Sequence, residues 1–272
     1  MRILLTNDDG IFAPGLEALY VALSATAETV IVAPDAERSA AGHAITLSDP
    51  LRVQEVQKSG TFYGYAVNGT PADCVKIACK ALLPYTPDLI VSGINLGANV
   101  GTSVIYSGTV SAATEGIILG IPSIAVSLDT YANPDFSDAA EFIASLVASL
   151  DLSDFPPDTA LNINVPAVPR AQMQGVEVTR QGKFRFEEYF DKRIDPSDRV
   201  YYWLTGKQRT NGDAVGSDSF AVANNKISIT PIHYDMTHEA VMTKIEAMID
   251  AMRGLGVIPA KAGIQTKTVV DK

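Results

Sequence analysis

Short apolar runs and segments of helical spacing follow one another along most of the chain. The run at residues 3–5 contains no polar alternation, which is typical of a strand buried on both faces of a parallel sheet. Strand–helix–strand units of this length are right-handed. The pattern predicts an α/β fold whose main strands cover residues 3–5, 28–34, 88–92, 122–127 and 160–165.

Apolar spacing and capping residues predict the helices between these strands. Thr70 is a natural N-cap, Pro71 suits the first helical position, and Asp73 suits the positive end of the helix dipole. The other helices are expected to begin near residues 16 and 108 and to cover residues 136–150. A hairpin is predicted from two short strands at residues 51–56 and 61–67.

The character of the chain changes after Gly175. Aromatic side chains are concentrated in residues 184–204, separated by charges and alternating in places. This pattern predicts a protruding hairpin or small lobe that covers a site or forms a subunit interface. A last strand is expected at residues 227–232 and a last helix at residues 239–252.

These elements predict one domain and a tail. The domain is expected to cover residues 1–252, with a core of about 1–175 plus 225–252 and a protruding segment of about 176–224. Residues 253–272 lack helical or strand periodicity, and we expect them to be mobile.

Composition excludes several classes of partner. The 272 residues are 47% apolar, enough for a large core, and carry a net charge of −10. That charge argues against a nucleic-acid polymer or an anionic membrane as a partner, but not against a small anion bound through a metal. Cys74 and Cys79 form no disulfide framework or zinc motif. With no signal peptide and no apolar run of spanning length, the sequence predicts a cytoplasmic protein.

Asp8 and Asp9 directly follow the first predicted strand. Open α/β sheets place their ligands at the carboxyl ends of the strands. Neighbouring carboxylates repel each other, and a hard cation such as Mg²⁺ relieves that repulsion. The stretch from Asn7 to Gly10 is also rich in turn-forming residues, so a polar turn without chemistry is the alternative.

Two further predicted loops lie at the same edge of the sheet. The first, residues 35–46, contains Ser39, whose hydroxyl is a candidate metal ligand, and Arg38, which is a candidate for a phosphate. The alternative for both is an ordinary loop position, and His43 is interpreted as a satisfied polar residue. Asn95 lies in the second loop. The oxygen ligands of Asp8, Asp9, Ser39 and Asn95 select Mg²⁺, Mn²⁺ or Ca²⁺ over Zn²⁺.

A glycine-rich stretch leads from the strand at residues 88–92 into the next helix. Such an arrangement binds anions because free N–H groups point at the ligand. Its glycine spacing matches neither a Walker loop nor a dinucleotide fingerprint, and tight helix–strand packing is the alternative. Ser107, Gly108 and Thr109 at the helix start are placed to hold a phosphate beside the metal, which suggests metal-assisted hydrolysis of a phosphate ester.

The chain resembles the SurE family, the stationary-phase survival proteins that act as metal-dependent nucleotidases. The matching stretches are TNDDGIFAPGLEAL at 6–19, APDAERSAAGHAIT at 33–46, VNGTPADCV at 67–75, VSGINLGANVGTSVIYSGTVSAATEG at 91–116 and ISITPIHYDMT at 227–237. The similarity runs from residue 1 to about residue 250.

The resemblance implies a fold, a reaction and an assembly. It implies a Rossmann-like three-layer α/β core with a C-terminal portion exchanged in a homodimer or homotetramer. It also implies hydrolysis of nucleoside 5′- and 3′-monophosphates with one Mg²⁺ or Mn²⁺ per subunit. By the same resemblance Asp8, Asp9 and Asn95 are catalytic, and Ser39 joins them as a metal ligand. The implied phosphate pocket consists of Asn95, Asn99, Ser107, Gly108 and Thr109.

One position departs from the family. Members usually have glycine where this chain has Ala40, and alanine keeps the small size but does not readily adopt a positive φ.

Other readings of the same residues stay open. A hydrolase of polyphosphate or of another ester would share the site. A receiver-like signalling module also has an acidic pair after its first strand, but the glycine-rich loop has no place in it. Within the hydrolase reading, Asp8 either activates water or attacks phosphorus directly. The chain lacks the Asp-x-Asp pattern expected of the direct route.

Overall fold

The computed structural model describes residues 1–183, 186–208 and 214–254. Contacts divide the chain into a unit of residues Met1–Tyr234 and a second unit that begins at Asp235. The strands of the first unit are β1 Arg2–Thr6, β2 Glu28–Pro34, β3 Val53–Lys58, β4 Thr61–Val67, β5 Leu89–Leu96, β6 Ser123–Asp129, β7 Ala160–Pro166, β8 Val176–Val178, β9 Phe186–Ile194, β10 Val200–Gln208 and β11 Ile227–Ile232.

Six helices of the described residues belong to the same unit. They are α1 Pro14–Ser24, α2 Pro71–Ile77, α3 Ser103–Tyr106, α4 Gly108–Ile118, α5 Ser137–Ser149 and α6 Asp218–Ala223. A π-helical turn, Ala78–Leu82, continues α2. Helix α1 begins at Pro14, two residues earlier than the apolar stripe predicts, because proline is well suited to the first helical turn.

Nine of the described strands form one sheet in the order β3-β4-β2-β1-β5-β6-β7-β11-β8. The six strands from β4 to β7 in this order run parallel, whereas β3 and β11 pair antiparallel with their neighbours β4 and β7. From β1 the chain continues to β2 on one side and later returns to β5 on the other. Strand β1 is therefore the switch point of the sheet, where open α/β folds form a ligand crevice.

Alternate residues of the strands build two apolar layers, one on each face of the sheet. Ile3 and Leu5 pack with α1 and α5, whereas Leu4 packs with α2 and α4. Side chains alternate across a strand, so a strand buried on both faces must be apolar throughout. The Rossmann-like three-layer α/β class predicted from sequence is confirmed.

Strand β5 is longer than the sequence pattern predicts. We expected it to end near Ser92, but it continues to Leu96 because β6 extends far enough to supply partners. Asn95 pairs with Ser127 and Leu96 with Leu128, after a register shift that follows Ser92. Asn95 therefore sits on a paired strand rather than in a free loop.

Strands β9 and β10 form a separate two-stranded antiparallel sheet, as the aromatic pattern predicted. Large apolar side chains of this hairpin are exposed, among them Phe190, Tyr202 and Trp203. Its role in assembly and the domain boundaries stay predictions.

The second unit contains a 3-10 turn, Glu239–Val241, followed by α7, Met242–Gly254, where a helix was expected. The predicted mobile tail at residues 253–272 lies, from residue 255 onward, outside the described residues.

Two further expectations concern the thiols and membranes. Cys74 and Cys79 are both free. In the described part of the chain, no helix combines the length and apolarity needed to cross a membrane.

The start of α2 is fixed by a capping box that also anchors the loop after β2. Thr70 accepts the Asp73 N–H, while Asp73 accepts the Thr70 N–H at 2.9 Å and both the N–H and hydroxyl of Thr46. Burial opposes ionisation of Asp73, but the bonds from Thr46 and Thr70 outweigh it and hold its pKa below the usual value.

We expect Asp73→Asn to lower the free energy of unfolding by about 1–3 kcal/mol at pH 7. Because the pKa of Asp73 is lowered by folding, its stabilisation is complete above the unfolded-chain pKa of about 3.9 and is lost as the pH falls through the folded value. Urea unfolding at pH 7 and in acid should therefore show a difference in the free energy of unfolding between the parent and Asp73→Asn that becomes smaller as the pH falls. The exposed Asp154→Asn is the control. A variant as stable as the parent at pH 7 would contradict the anchor.

Candidate functional site

The Asn7–Gly10 turn displays the two carboxylates at the end of β1. Asn7 is buried, donates from Nδ2 to the Gly10 carbonyl at 3.0 Å and accepts the Gly10 N–H at 3.2 Å. Gly10 has φ +99°, and a Cβ there would lie 3.3 Å from the backbone of Ala36. Both the turn conformation and the close approach of the next loop therefore require glycine.

Asp8 and Asp9 lie together in a poorly solvated position. Asp8 is only 5% exposed, and burial raises its pKa although hydrogen bonds oppose the shift. Burial, followed by the charge of Asp8, raises the pKa of Asp9 to about 6. The ion pairs formed by the described residues include neither carboxylate. Two crowded carboxylates without a cation attract one.

The first turn of α4 is directed at Asp8. Ser107 caps the helix by accepting the Val110 N–H at 3.1 Å, and the Thr109 hydroxyl donates to Asp8 Oδ1. The backbone N–H groups of Gly108 and Thr109 also bond to the Asp8 carboxylate. A Cβ at Gly108 would lie 2.7 Å from that of Asp8, so only glycine permits this approach. The predicted residues of two different loops are thus in direct contact.

The loop after β2 brings Ser39 toward the same edge. The Arg38 N–H donates to the Asp8 carbonyl at 2.8 Å, and the Arg38 guanidinium pairs with Asp35 at 3.0 Å. Ser39 is exposed and donates its hydroxyl to Glu37 Oε1 at 2.5 Å. Glu37, whose charge also raises the pKa of Asp9, was not predicted from the sequence, although an acidic residue two positions before Ser39 is a visible signal.

The far end of this loop is anchored to two helices. His43 Nε2 lies 2.9 Å from Glu115 Oε2, and Lys76 of α2 pairs with the other oxygen of Glu115. Glu115 is 2% exposed. Burial opposes its ionisation, but hydrogen bonds from His43 and Lys76 hold its pKa below the usual value. His43 is thus a satisfied polar residue, as expected.

Asn95 is joined to the carboxylate pair through its own strand. The Leu96 N–H bonds to the Asp9 carboxylate, and Asn95 Nδ2 donates to the Gly97 carbonyl at 2.7 Å. Its amide nitrogen is therefore engaged, and its carbonyl oxygen is the atom suited to a cation.

Asn99 is buried and held by polar residues of neighbouring strands. Asn164 of β7 accepts the Asn99 N–H at 2.7 Å, and Asn162 donates to the Asn99 carbonyl at 2.8 Å. The Asn99 side chain donates to Ser127 Oγ at 2.9 Å. The structure thus places Asn99 where it holds the glycine-rich loop. Asn162 and Asn164 were not predicted from the sequence, although two amides in a buried strand are a signal that both bond to polar partners.

Asp218 at the start of α6 fixes the other end of the glycine-rich loop. It is fully buried and accepts the Gly101 N–H at 2.9 Å and the Gly182 N–H at 2.8 Å. It lies more than a hundred residues from Gly101 in the chain, so no local pattern could have identified the contact.

The residues present fit a hard divalent cation. No group of three His, Cys, Asp or Glu side chains suited to a metal occurs in residues 1–183, 186–208 and 214–254. A cation would therefore be held by the carboxylates of Asp8 and Asp9, with the neutral oxygens of Ser39 and Asn95 as its other ligands. Two carboxylates plus neutral oxygens are the donor set of Mg²⁺ and Mn²⁺, and they suit Zn²⁺ poorly.

Ala40, beside Ser39, has φ +54°, a conformation that costs an alanine about 1 kcal/mol. We expect Ala40→Gly to raise the melting temperature by about 1–2 °C, because relief of this strain exceeds the entropic cost of glycine. Calorimetry of the variant measures the change. The matched control is Ala41→Gly, which removes a side chain without relieving strain and should lower the melting temperature. A lower melting temperature for both variants would contradict the strain.

Comparison with known proteins identifies relatives across most of the chain. The family described as Survival protein SurE matches residues 3–188. A protein named 5′-nucleotidase SurE from Syntrophobacter fumaroxidans is 53% identical over 238 residues, which cover 88% of this chain and 95% of the relative. A protein of the same name from Syntrophus aciditrophicus is 54% identical over 250 residues, covering 92% and 94% of the two chains.

The fold is similar to that of a solved relative. The crystal structure of the SurE protein from Aquifex aeolicus matches with a TM-score of 0.80 and 41% identity, over 92% of this chain and 100% of that one. The family match covers more than half of the chain, and the two named relatives share about half of their residues with it. The chain belongs to the SurE family.

Proposed function

We propose that this chain is a nucleotidase that hydrolyses nucleoside 5′- and 3′-monophosphates with one Mg²⁺ or Mn²⁺ per subunit. The observation that carries the proposal is the contact of the buried Asp8 carboxylate with the first turn of α4. In the proposal, the cation site therefore lies beside the phosphate site. The relatives named 5′-nucleotidase SurE support the hydrolysis of 5′-monophosphates in this proposal.

The proposed cation site consists of Asp8, Asp9, Ser39 and Asn95. When bound, a divalent cation supplies charge that neutralises phosphoryl oxygens and acidifies water. Asp8 and Asp9 favour a cation because the two carboxylates are close together and partly desolvated. Glu37 is next to this set through Ser39 and adds negative charge.

The proposed phosphate site is the start of α4. The oxygen of Ser107 accepts the Val110 N–H, which leaves the Ser107 hydroxyl proton to be donated to a phosphoryl oxygen. The N–H groups of the first turn already bond to Asp8 and Ser107, so α4 attracts the phosphate through the positive end of its dipole. Asn95 adds a polar side chain between the two sites, and Asn99 supports the loop from below.

Asp8 is the proposed general base. Its carboxylate lies at the end of β1 beside the proposed phosphate site, and the Thr109 hydroxyl orients its Oδ1. In this mechanism Asp8 accepts a proton from the attacking water. The Ser107 hydroxyl and the second amide N–H of Asn95 donate to the phosphoryl oxygens on which charge develops. The free thiols of Cys74 and Cys79 are consistent with a proposed cytoplasmic location.

We expect Asp8→Asn to fold normally and to lose nearly all phosphatase activity, at least about a hundredfold. The substitution removes one charge of the cation site and the proposed base. Release of phosphate from adenosine 5′-monophosphate with and without Mn²⁺ measures the effect, and circular dichroism checks folding. Parallel assays with adenosine 3′-monophosphate and polyphosphate test the proposed ester range against the alternative hydrolase.

Asp88→Asn is the matched control, because Asp88 precedes β5 at the opposite end of the strands. It should retain the parent's activity. Equal activity in Asp8→Asn and the parent would show that Asp8 is not part of the site. Full activity of the parent in the presence of a chelator would show that the reaction needs no divalent cation.

The exposed hairpin supports a proposed homodimer or homotetramer. Tyr201, Tyr202 and Trp203 lie on β10 and remain exposed in the single chain. Exposed aromatic surface of this kind marks contact sites, and buried aromatic anchors contribute strongly to association. We expect the triple replacement of these residues by serine to weaken assembly, with a smaller loss of activity than Asp8→Asn.

Sedimentation of the parent and the triple variant measures assembly. A monomeric parent would contradict the proposed oligomer. Unchanged assembly of the variant would show that the hairpin is not the contact surface.

A further inference from the structure

Tyr131 is an exposed aromatic residue at the carboxyl end of β6. The end of β6 lies at the same edge of the sheet as Asp8, because β1, β5 and β6 run parallel. The Tyr131 side chain is 67% exposed. Exposure of a ring beside a polar site requires an explanation, since apolar surface at such a place is available to a ligand.

The ring of Tyr131 lies against Gly97. A Cβ atom at Gly97 would lie 2.5 Å from Tyr131 Cε1 and 2.8 Å from its phenolic oxygen. Any other residue at position 97 would therefore displace the ring. The carbonyl of Gly97 also accepts the Asn95 side chain, so Tyr131 packs on the loop that carries a candidate ligand.

The loop of Tyr131 is fixed in place rather than only adjacent. The Leu128 carbonyl accepts both the Gly97 N–H at 2.9 Å and the Thr130 N–H at 2.8 Å. The Thr130 hydroxyl donates to the Ala132 carbonyl at 2.9 Å and accepts the Ala132 N–H at 3.2 Å. These bonds hold the backbone on both sides of Tyr131, so the exposed ring is supported from below.

The ring of Tyr131 is linked to the carboxylates through the two neighbouring residues Leu96 and Gly97. Gly97 follows Leu96, whose N–H bonds to Asp9, and neighbouring Cα atoms are about 3.8 Å apart. One edge of the ring is covered by Gly97 although most of it is exposed, and this partial burial, with the charge of Asp129, raises the pKa of the phenol. The ring is therefore uncharged at neutral pH. An uncharged ring stacks on the face of any nucleobase, whatever its hydrogen-bonding edge.

We propose that Tyr131 stacks on the nucleobase of the substrate and makes the site prefer nucleotides over phosphate esters that lack a base. The inference rests on the proposed phosphatase function, which it deepens. Stacking forms in the ground state and persists in the transition state, so its loss raises KM and leaves kcat unchanged.

The test compares adenosine 5′-monophosphate with ribose 5-phosphate, which lacks the base. Tyr131→Ala should raise KM for adenosine 5′-monophosphate about tenfold at unchanged kcat. Its KM for ribose 5-phosphate should stay at the parent's value. Tyr131→Phe should behave as the parent, and Tyr131→Leu, which keeps the bulk over Gly97 without an aromatic face, should behave as Tyr131→Ala.

Phe62→Ala is the matched control, because Phe62 is an exposed ring near the start of β4, at the opposite end of the strands. It should leave both substrates unaffected. An equal loss on both substrates in Tyr131→Ala, parental KM in that variant, or parental behaviour of Tyr131→Leu would each overturn the inference.

Calorimetric binding of adenosine 5′-monophosphate to the full chain separates this inference from the proposed function. A parent that hydrolyses both esters, but binds the nucleotide no better than Tyr131→Ala does, refutes the stacking and keeps the phosphatase. If the parent hydrolyses neither ester, but Tyr131→Ala binds adenosine 5′-monophosphate about tenfold more weakly than the parent, the stacking is supported and the phosphatase function is refuted.

Discussion

The approach of Asp8 to the first turn of α4 is the contact on which the site depends. It requires a glycine at position 108, a threonine hydroxyl beside it and a carboxylate with little access to water. Each of these features is unfavourable or neutral on its own. Together they place the buried Asp8 carboxylate against the positive end of α4, so the cation half and the phosphate half of the proposed site share one contact.

The sheet order explains why residues from distant parts of the chain meet there. β1 lies between β2 and β5, and parallel strands bring the loops that follow them to one edge. Short contacts then join the loops to one another: Arg38 to the Asp8 carbonyl, and Leu96 to the Asp9 carboxylate. The topology of the sheet thus brings these loops together before any single side chain contributes.

Local patterns predicted the strands, the capped helices and the acidic pair, because burial on both faces and helix capping leave marks within a few residues. The capping box at Thr70 and the apolar run of β1 are examples. The continuation of β5 to Leu96 was not predicted, because it depends on the length of β6. Asp218 was missed because its partner Gly101 lies more than a hundred residues away. Asn162 and Asn164 stand out as amides in a buried strand, but their partner Asn99 lies more than sixty residues away and could not be identified locally. Family resemblance supplied Asn99, whose backbone contacts only the structure could show.

Helix α4 contacts the site at two points. Thr109 in its first turn bonds to Asp8, and Glu115, six residues later, bonds to His43 of the Ser39 loop. Six residues of helix span about 9 Å, a length that thermal motion hardly alters. The helix therefore fixes the distance between the carboxylate turn and the far end of that loop. Surface loops around the site can change in length without altering this distance, but a residue inserted between positions 109 and 115 would shift the Asp8 contact relative to the His43 contact.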